Sequence, residues 1–274
     1  MGSSADGIVY CACGSRHWGR AGAAGVLAWR DRGETEVILQ LRAEWSMSGG
    51  TWGIPGGAIG FDETPLEGAI REAHEEAGLE PARVWAATTL THPDWSYTTV
   101  VAEAAPHQAA LVTDHESDAM EWVPWHALDG RVLMPAFEQS VPLMSTLLGR
   151  TLLVVDPSQL EAGWEDALPL LGMRGIGADV LPAEYRDAID HRVGPDRTVT
   201  LFPDIALRGS GRPLTAASYP GTIAPTMGWT EGAEAVDMGA YDRVVTVGGS
   251  ADGLTIAPSI IRGFISQPQR AQTD

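Results

Sequence analysis

The stretch from Thr64 to Gly78 constrains the chain more than any other, because both ends of a helix are written into it. Thr64, Pro65 and Glu67 provide an N-cap, a proline at the first helical position and the acid of a capping box; Gly78 sits where a left-handed residue ends a helix. The pattern predicts a helix over 65–77. Leu66, Ile70, Ala73 and Ala77 form an apolar stripe that has to be buried. Glu72, Glu75 and Glu76 fill an adjoining arc of about 100°. Carboxylates so placed oppose one another by about 0.2–0.5 kcal/mol per pair, so the face calls for a cation. An acidic helix face taken alone is ordinarily just solvated. Here the buried stripe aims all three acids one way, and a Gly-rich loop before the helix can offer a backbone carbonyl. Such hard oxygen donors suit Mg²⁺ or Mn²⁺ rather than Zn²⁺, which prefers His and Cys.

The residues around the acids sharpen this. The string GGAIGFDETPLEGAIREAHEEAGL places Gly57, Glu63, Arg71-Glu72, an apolar Ala73, Glu75-Glu76 and Gly78-Leu79 at fixed intervals. At every defined position it resembles the box of the Nudix hydrolase family. The resemblance covers most of 21–149 in strand order but is specific only in the box. It implies an α/β fold, the family's α/β/α sandwich with a mixed sheet between helices. It also implies that Glu72, Glu75, Glu76 and the Gly56 carbonyl hold Mg²⁺, with Mn²⁺ as a substitute, and that Glu75 or Glu76 can serve as general base. Glu63 and Arg71 are expected to pair and hold the loop on the helix, with Gly57 and Gly78 as structural support.

In several family members a base or extra ligand lies outside the box, just before a strand that opens with Glu-Trp or a similar pair. Glu116, ahead of Glu121-Trp122, is the counterpart here, with Asp114 and Glu103 as rivals. The activity implied is hydrolysis of a nucleoside diphosphate linked to another group: a nucleoside triphosphate, normal or oxidised, a nucleotide sugar or a dinucleotide. The alternative is a catalytically silent member that senses a nucleotide or ADP-ribose derivative and signals through its C-terminal part.

The 274 residues suit two domains. Short apolar runs at 21–29, 36–41, 51–55, 84–91, 97–103 and 120–124 read as strands, and 137–148 as a second helix, so the first domain is expected to occupy 1–149. The third run ends at Gly56-Gly57, where the backbone can take conformations closed to other residues. Runs at 151–156, 198–204 and 242–248 suggest a smaller α/β domain over 150–274 with a parallel sheet, interrupted by a long loop at 209–228. Asp156, Asp204 and Asp252 fall at the ends of those runs, a faint similarity to PIN-like nucleases. Asp is also a common turn residue, so the expectation is a degenerate accessory domain that stabilises, dimerises or covers the site.

Composition narrows the partners. Thirty-six acids face 18 bases, all Arg, for a net charge of −18. That surface repels a phosphate backbone, which argues against nucleic-acid polymers and anionic membranes but leaves room for a small nucleotide whose charge metal ions offset. Trp45, Trp52, Trp95 and Tyr97 offer flat faces for a base, and Arg16, His17, Arg20 and Arg42 offer hydrogen-bond donors. Cys11 and Cys13, one residue apart, read as reduced structural thiols; with His17 they supply only three zinc ligands. The first 25 residues carry no basic start followed by an apolar core, and no run approaches the length of a membrane span. A cytoplasmic protein is expected.

Overall fold

The computed structural model describes residues 5–160, 162–177, 196–207, 213–217, 226–229, 237–247 and 255–256, the three short segments 213–217, 226–229 and 255–256 by their backbone alone. Helix α1 spans Pro65–Ala77 and forms for the reasons its caps suggest. Thr64 Oγ1 accepts from the Glu67 N–H at 3.3 Å, and Glu67 Oε2 accepts from the Thr64 N–H at 2.6 Å. At the other end Gly78 adopts φ 58°, and its N–H donates to the His74 carbonyl at 2.9 Å. The Thr64 N-cap is worth about 1 kcal/mol.

The chain divides into two compact units, one built on Met1–Leu148 and one that begins at Gly149. In the first, β3 (Ala23–Asp31) lies at the centre of a mixed sheet. It runs parallel to β8 (Trp95–Glu103), in register from Ala23↔Tyr97 to Trp29↔Glu103, and antiparallel to β4 (Thr35–Arg42) and β6 (Gly56–Ala58). β7 (Arg83–His92) flanks β8, while β5 (Trp52–Gly53) and β9 (Ser117–Pro124) flank β4. A short hairpin, β1 (Ile8–Tyr10) and β2 (Arg16–Trp18), precedes the sheet. The chain later returns to this unit: in β12 (Arg197–Leu201) the Thr198 carbonyl accepts from Thr88 Oγ1 at 2.8 Å, and the Thr91 N–H reaches the Asp196 carbonyl at 2.7 Å.

Strand alternation sorts the core into two layers. Ala24, Val26, Ala28, Ile38, Val100 and Ala102 face α1, where Ala69, Ala73 and Ala77 are fully buried against them. Small residues on both sides let the helix come close to the sheet. Leu27, Leu39, Val101 and Val123 are buried on the other face, and α2 (Pro135–Leu147) buries Phe137, Leu143, Met144 and Leu147. The result is the α/β sandwich with a mixed sheet that the box implied.

The second unit is also α/β. Its centre, β10 (Thr151–Val155), is parallel to both β13 (Asp204–Leu207) and β16 (Arg243–Val247), and β17 (Thr255–Ile256) adds a further parallel strand. α3 (Trp164–Arg174) buries Ala167, Leu168 and Leu171 and is followed by the short β11 (Ile176–Gly177). Two expectations fail here. The segment 209–228 is not simply a loop, because β14 (Pro213–Ala217) and β15 (Thr226–Trp229) extend the sheet as antiparallel strands. The run 198–204 is not one strand either: Phe202-Pro203 separates β12 from β13, since Pro203 has no N–H to continue a ladder.

Asp204 therefore starts a strand instead of ending one. It pairs in register with Leu152, which puts about 13 Å of strand between it and Asp156. Asp204 accepts from the Tyr241 hydroxyl at 3.0 Å, and Asp156 caps its own turn through Ser158. The two acids do not gather at one sheet end, and Asp252 lies outside the described residues. No helix among the described residues is long and apolar enough to cross a membrane.

Candidate metal and active site

The site forms where α1 meets β6. β6 lies antiparallel to the start of β3, with Gly25↔Gly56 and Ala24↔Gly57 in register. The two glycines are demanded by space and not by an unusual backbone, since neither has a positive φ. A Cβ on Gly56 would strike the Ala24 carbonyl, and one on Gly57 would stand 2.5 Å from Glu72 Oε2. α1 is thus pressed so close that its carboxylates touch main chain.

Glu76 is the most enclosed acid, 5% exposed, and its Oε2 accepts from the Gly56 N–H at 2.7 Å. Burial pushes its pKa up to about 8, and the nearby charges of Glu72 and Asp114 push the same way against the Gly56 N–H and the Gln40 amide. Glu72 is also raised, mainly by burial, with Arg71 opposing. Glu75 is exposed.

One guanidinium ties this group to the preceding loop. Arg71 Nε and Nη2 grip Glu63 at 2.6 and 2.9 Å, Nη1 reaches Glu72 at 2.8 Å and Glu75 at 2.9 Å, and Nη2 also donates to the Ala58 carbonyl at 2.9 Å. The fork geometry of Arg makes this bridging feasible where an ammonium would fail. Glu63, which also accepts from the Gly60 N–H at 2.8 Å, is held below the usual carboxylate range chiefly by Arg71. The Arg71 pKa is raised in turn, chiefly by Glu63.

Gln40 had no place in the sequence reading. It is fully buried in β4, and its amide donates to Ser117 Oγ at 2.8 Å, which donates to Asp114 Oδ1 at 2.7 Å. Among the described residues its Oε1 has no partner. A single amide at an inward position of the strand EVILQLR was the available signal. Thr113 ties the same loop to the helix end: its N–H donates to the Glu76 carbonyl at 3.2 Å and its hydroxyl to the Glu75 carbonyl.

The acids outside the box separate clearly. Asp114 acts on Glu76, whereas the Glu116 side chain is exposed and its carbonyl accepts from the Ala43 N–H at 2.8 Å. Glu103 accepts from Trp85 Nε1 at the far end of β8, about 20 Å of strand from Tyr97. Of the candidate substrate contacts, Tyr97 comes nearest the carboxylates. Its hydroxyl would be 2.5 Å from a Cβ on Gly25, and burial followed by the charge of Glu76 raises its pKa, with Arg42 opposing.

Arg42 donates to the Met47 carbonyl at 2.9 Å, and Trp45 is exposed. Trp52 carries the Arg131 guanidinium 4.2 Å above its ring. Trp95 stacks on His17 at 4.2 Å and 10°, so one face of each tryptophan is already covered.

The arrangement defines a class: an α/β sandwich that presents a carboxylate-rich helix to a glycine strand. A family model for the NUDIX domain matches residues 19–145. The chain is 42% identical over 151 residues to the "Nucleoside triphosphate pyrophosphatase/Nudix hydrolase fusion protein" of Bifidobacterium longum, which covers 52% of this chain and 31% of that protein. It is 42% identical over 145 residues to the "Putative 8-oxo-dGTP diphosphatase 3" of Mycobacterium tuberculosis, covering 49% of this chain and 66% of that protein. Among solved structures, the Nudix hydrolase RenU of M. smegmatis is 38% identical, covers 51% of this chain and 92% of its own, and superposes with a TM-score of 0.47. The chain belongs to the Nudix hydrolase family through residues 19–145. It spans 31% and 66% of the two curated relatives.

Proposed function

We propose that this chain is a divalent-metal-dependent pyrophosphohydrolase that cleaves a phosphoric anhydride in a nucleoside diphosphate linked to a further group. The observation that carries this is the convergence of Glu72 and Glu76 on the backbone of Gly56 and Gly57, with Glu75 joined to them through Arg71. A buried carboxyl whose pKa is pushed up to about 8 beside other acids is readily ionised at neutral pH only when a cation joins it. The donors are all oxygens, which fits Mg²⁺, with Mn²⁺ as a substitute. Glu72, Glu75, Glu76 and the Gly56 carbonyl would hold it. When bound, such an ion supplies charge neutralisation at the diphosphate and makes water more acidic.

The chain's own groups do the rest. Arg71 fixes the spacing of Glu63, Glu72 and Glu75, so the acids are set before substrate arrives. Glu75, exposed, or Glu76, once a bound cation has displaced its proton, can take a proton from the attacking water. Asp114, supported through Ser117 by Gln40, is the acid outside the box placed to influence that step; Glu116 is the alternative. Tyr97 walls the site from the β8 side, and Arg42, Trp52 and Trp95 are the further residues proposed to contact substrate.

Nucleoside triphosphates, oxidised dGTP included, are the first substrates to test, because the two curated relatives are named for acting on them. Nucleotide sugars and dinucleotides complete the class. The net charge of −18 keeps nucleic-acid polymers outside it. The experiment is a panel of these compounds with Mg²⁺, analysed for phosphate products. Release of a nucleoside monophosphate from at least one supports the reading; tight binding by calorimetry with no turnover on any of them replaces it with a silent sensor.

A further inference from the structure

The hairpin β1–β2 and the turn between β7 and β8 meet at a set of soft donors that the phosphate chemistry does not use. Cys11 Sγ, Cys13 Sγ and a ring nitrogen of His17 all lie within 4.8 Å of one another, and Cys13 Sγ is 3.2 Å from His17 Nε2. Both cysteines are free. The edges of a tetrahedron around zinc, with bonds of about 2.0–2.3 Å, are about 3.4–3.8 Å long, so the three donors close on an ion with only small side-chain shifts. A further imidazole stands nearby, the His92 ring centroid being 4.7 Å from that of His17; its nitrogens lie outside the mutual 4.8 Å of the other three donors and would turn in to complete the set. Two thiolates and two imidazoles are a set that zinc prefers and magnesium does not.

The hairpin also needs such a fastening. Each of its strands has three residues, and Ile8, Tyr10 and Trp18 are 41%, 78% and 43% exposed, so it has no apolar core of its own. Its backbone is nevertheless shaped around the sulfurs. The Cys13 N–H points to Cys11 Sγ at 3.5 Å, the Gly14 N–H closes a turn onto the Cys11 carbonyl at 2.9 Å, and the Ala12 N–H is anchored on Asp94 Oδ2 at 2.7 Å in the opposite turn. His17 is oriented by stacking on Trp95, whose Nε1 donates to the Trp18 carbonyl at 2.9 Å.

We propose that Cys11, Cys13, His17 and His92 bind a structural zinc ion that fastens the N-terminal hairpin to the β7–β8 turn and thereby holds Trp95 beside Tyr97. The site is separate from the carboxylates of α1 and does not depend on what they hydrolyse.

The test uses the full chain, purified under reducing conditions, first for zinc content and then for titration with Co²⁺ after the metal is removed. Cobalt on thiolates gives an intense sulfur-to-metal charge-transfer band that the all-oxygen site on α1 cannot give, so the two sites are read apart. One zinc per chain is expected, along with a cobalt band that Cys13→Ser abolishes. His17→Ala and His92→Ala should each weaken cobalt binding at least 10-fold. Cys13 is exposed, so its serine variant keeps the fold, checked by circular dichroism. A wild-type chain without the band, or a band unchanged in Cys13→Ser, overturns the site. So does a mass two hydrogens lighter in the reduced preparation, which would mean an 11–13 disulfide. Unchanged affinity in His92→Ala overturns the four-ligand assignment.

Discussion

Glu76 Oε2 accepts a 2.7 Å hydrogen bond from the Gly56 N–H, so the deepest acid of α1 is fastened to the glycine strand it faces. Any group that binds at this junction is felt by helix and strand at once. Substitution of Glu75 or Glu76 by Gln keeps shape and hydrogen bonding but removes the charge. Turnover is expected to fall on the order of 100-fold or more in each, with an unchanged circular dichroism spectrum. Wild-type rates in both variants would remove these residues from the metal site.

Gly57→Ala tests the close approach directly. Its Cβ would sit 2.5 to 2.8 Å from the Glu72 carboxylate, whereas Gly130, with nothing within 4 Å of a Cβ, serves as control. Displacing a ligand by about 1 Å can cost roughly 100-fold in rate, so kcat should drop in Gly57→Ala and stay within about twofold in Gly130→Ala. Equal kcat in the two variants would show that Glu72 does not need its present position.

The raised pKa of Glu76 sets a pH dependence of stability. From an ordinary value of 4.5 it moves up to about 8, so the folded chain keeps a proton that the unfolded chain releases. The associated stability is complete below 4.5 and is lost as pH rises through about 8. In the absence of divalent ions the melting temperature should fall across this window more steeply for wild type than for Glu76→Gln. Saturating Mg²⁺ should flatten the wild-type curve. Parallel curves for the two proteins without metal would contradict the assignment.

Arg71→Ala leaves Glu63, Glu72 and Glu75 without their shared partner. The guanidinium is 31% exposed, so solvent softens the loss. Urea denaturation should show destabilisation of about 1–3 kcal/mol. Lys should restore less than half, because a single ammonium cannot reproduce the fork. Full rescue by Lys would reduce the bridge to simple charge.

Asp114 and Glu116 make opposite forecasts. The Asp114 charge raises the Glu76 pKa, so Asp114→Asn should lower it and move the pH–rate profile of kcat/KM to the acid side. Glu116, exposed, should tolerate Gln with rates within about twofold. A larger loss in Glu116→Gln than in Asp114→Asn would restore Glu116 as the acid outside the box.

What could be read in advance was whatever depended on neighbours in sequence. The capping box, Pro65 and Gly78 bound α1 at the same residues in pattern and in structure, because caps act within one turn. β6 was missed, because Gly-Gly-Ala looks like a turn until a strand 31 to 35 residues earlier pairs with it. Gln40 and Asp114 were invisible as a pair for the same reason: 74 residues separate them, and only the β4–β9 ladder brings them to one place. The hairpin β1–β2 escaped because its strands are too short for a period to show. Asp204 misled because a strand end and a strand start look alike when Pro203 is their only divider.

The return of 196–199 to β7 gives the first unit a boundary that a single scission cannot follow. A polypeptide ended after Leu148 would retain every residue of the box and still present a raw β7 edge, with the Thr88 hydroxyl and the Thr91 amide stripped of their acceptors. Such edges recruit strands from other molecules. The fragment's fate would then turn on sheet-to-sheet association, so inactivity in a truncated form would report lost solubility before it reported lost chemistry.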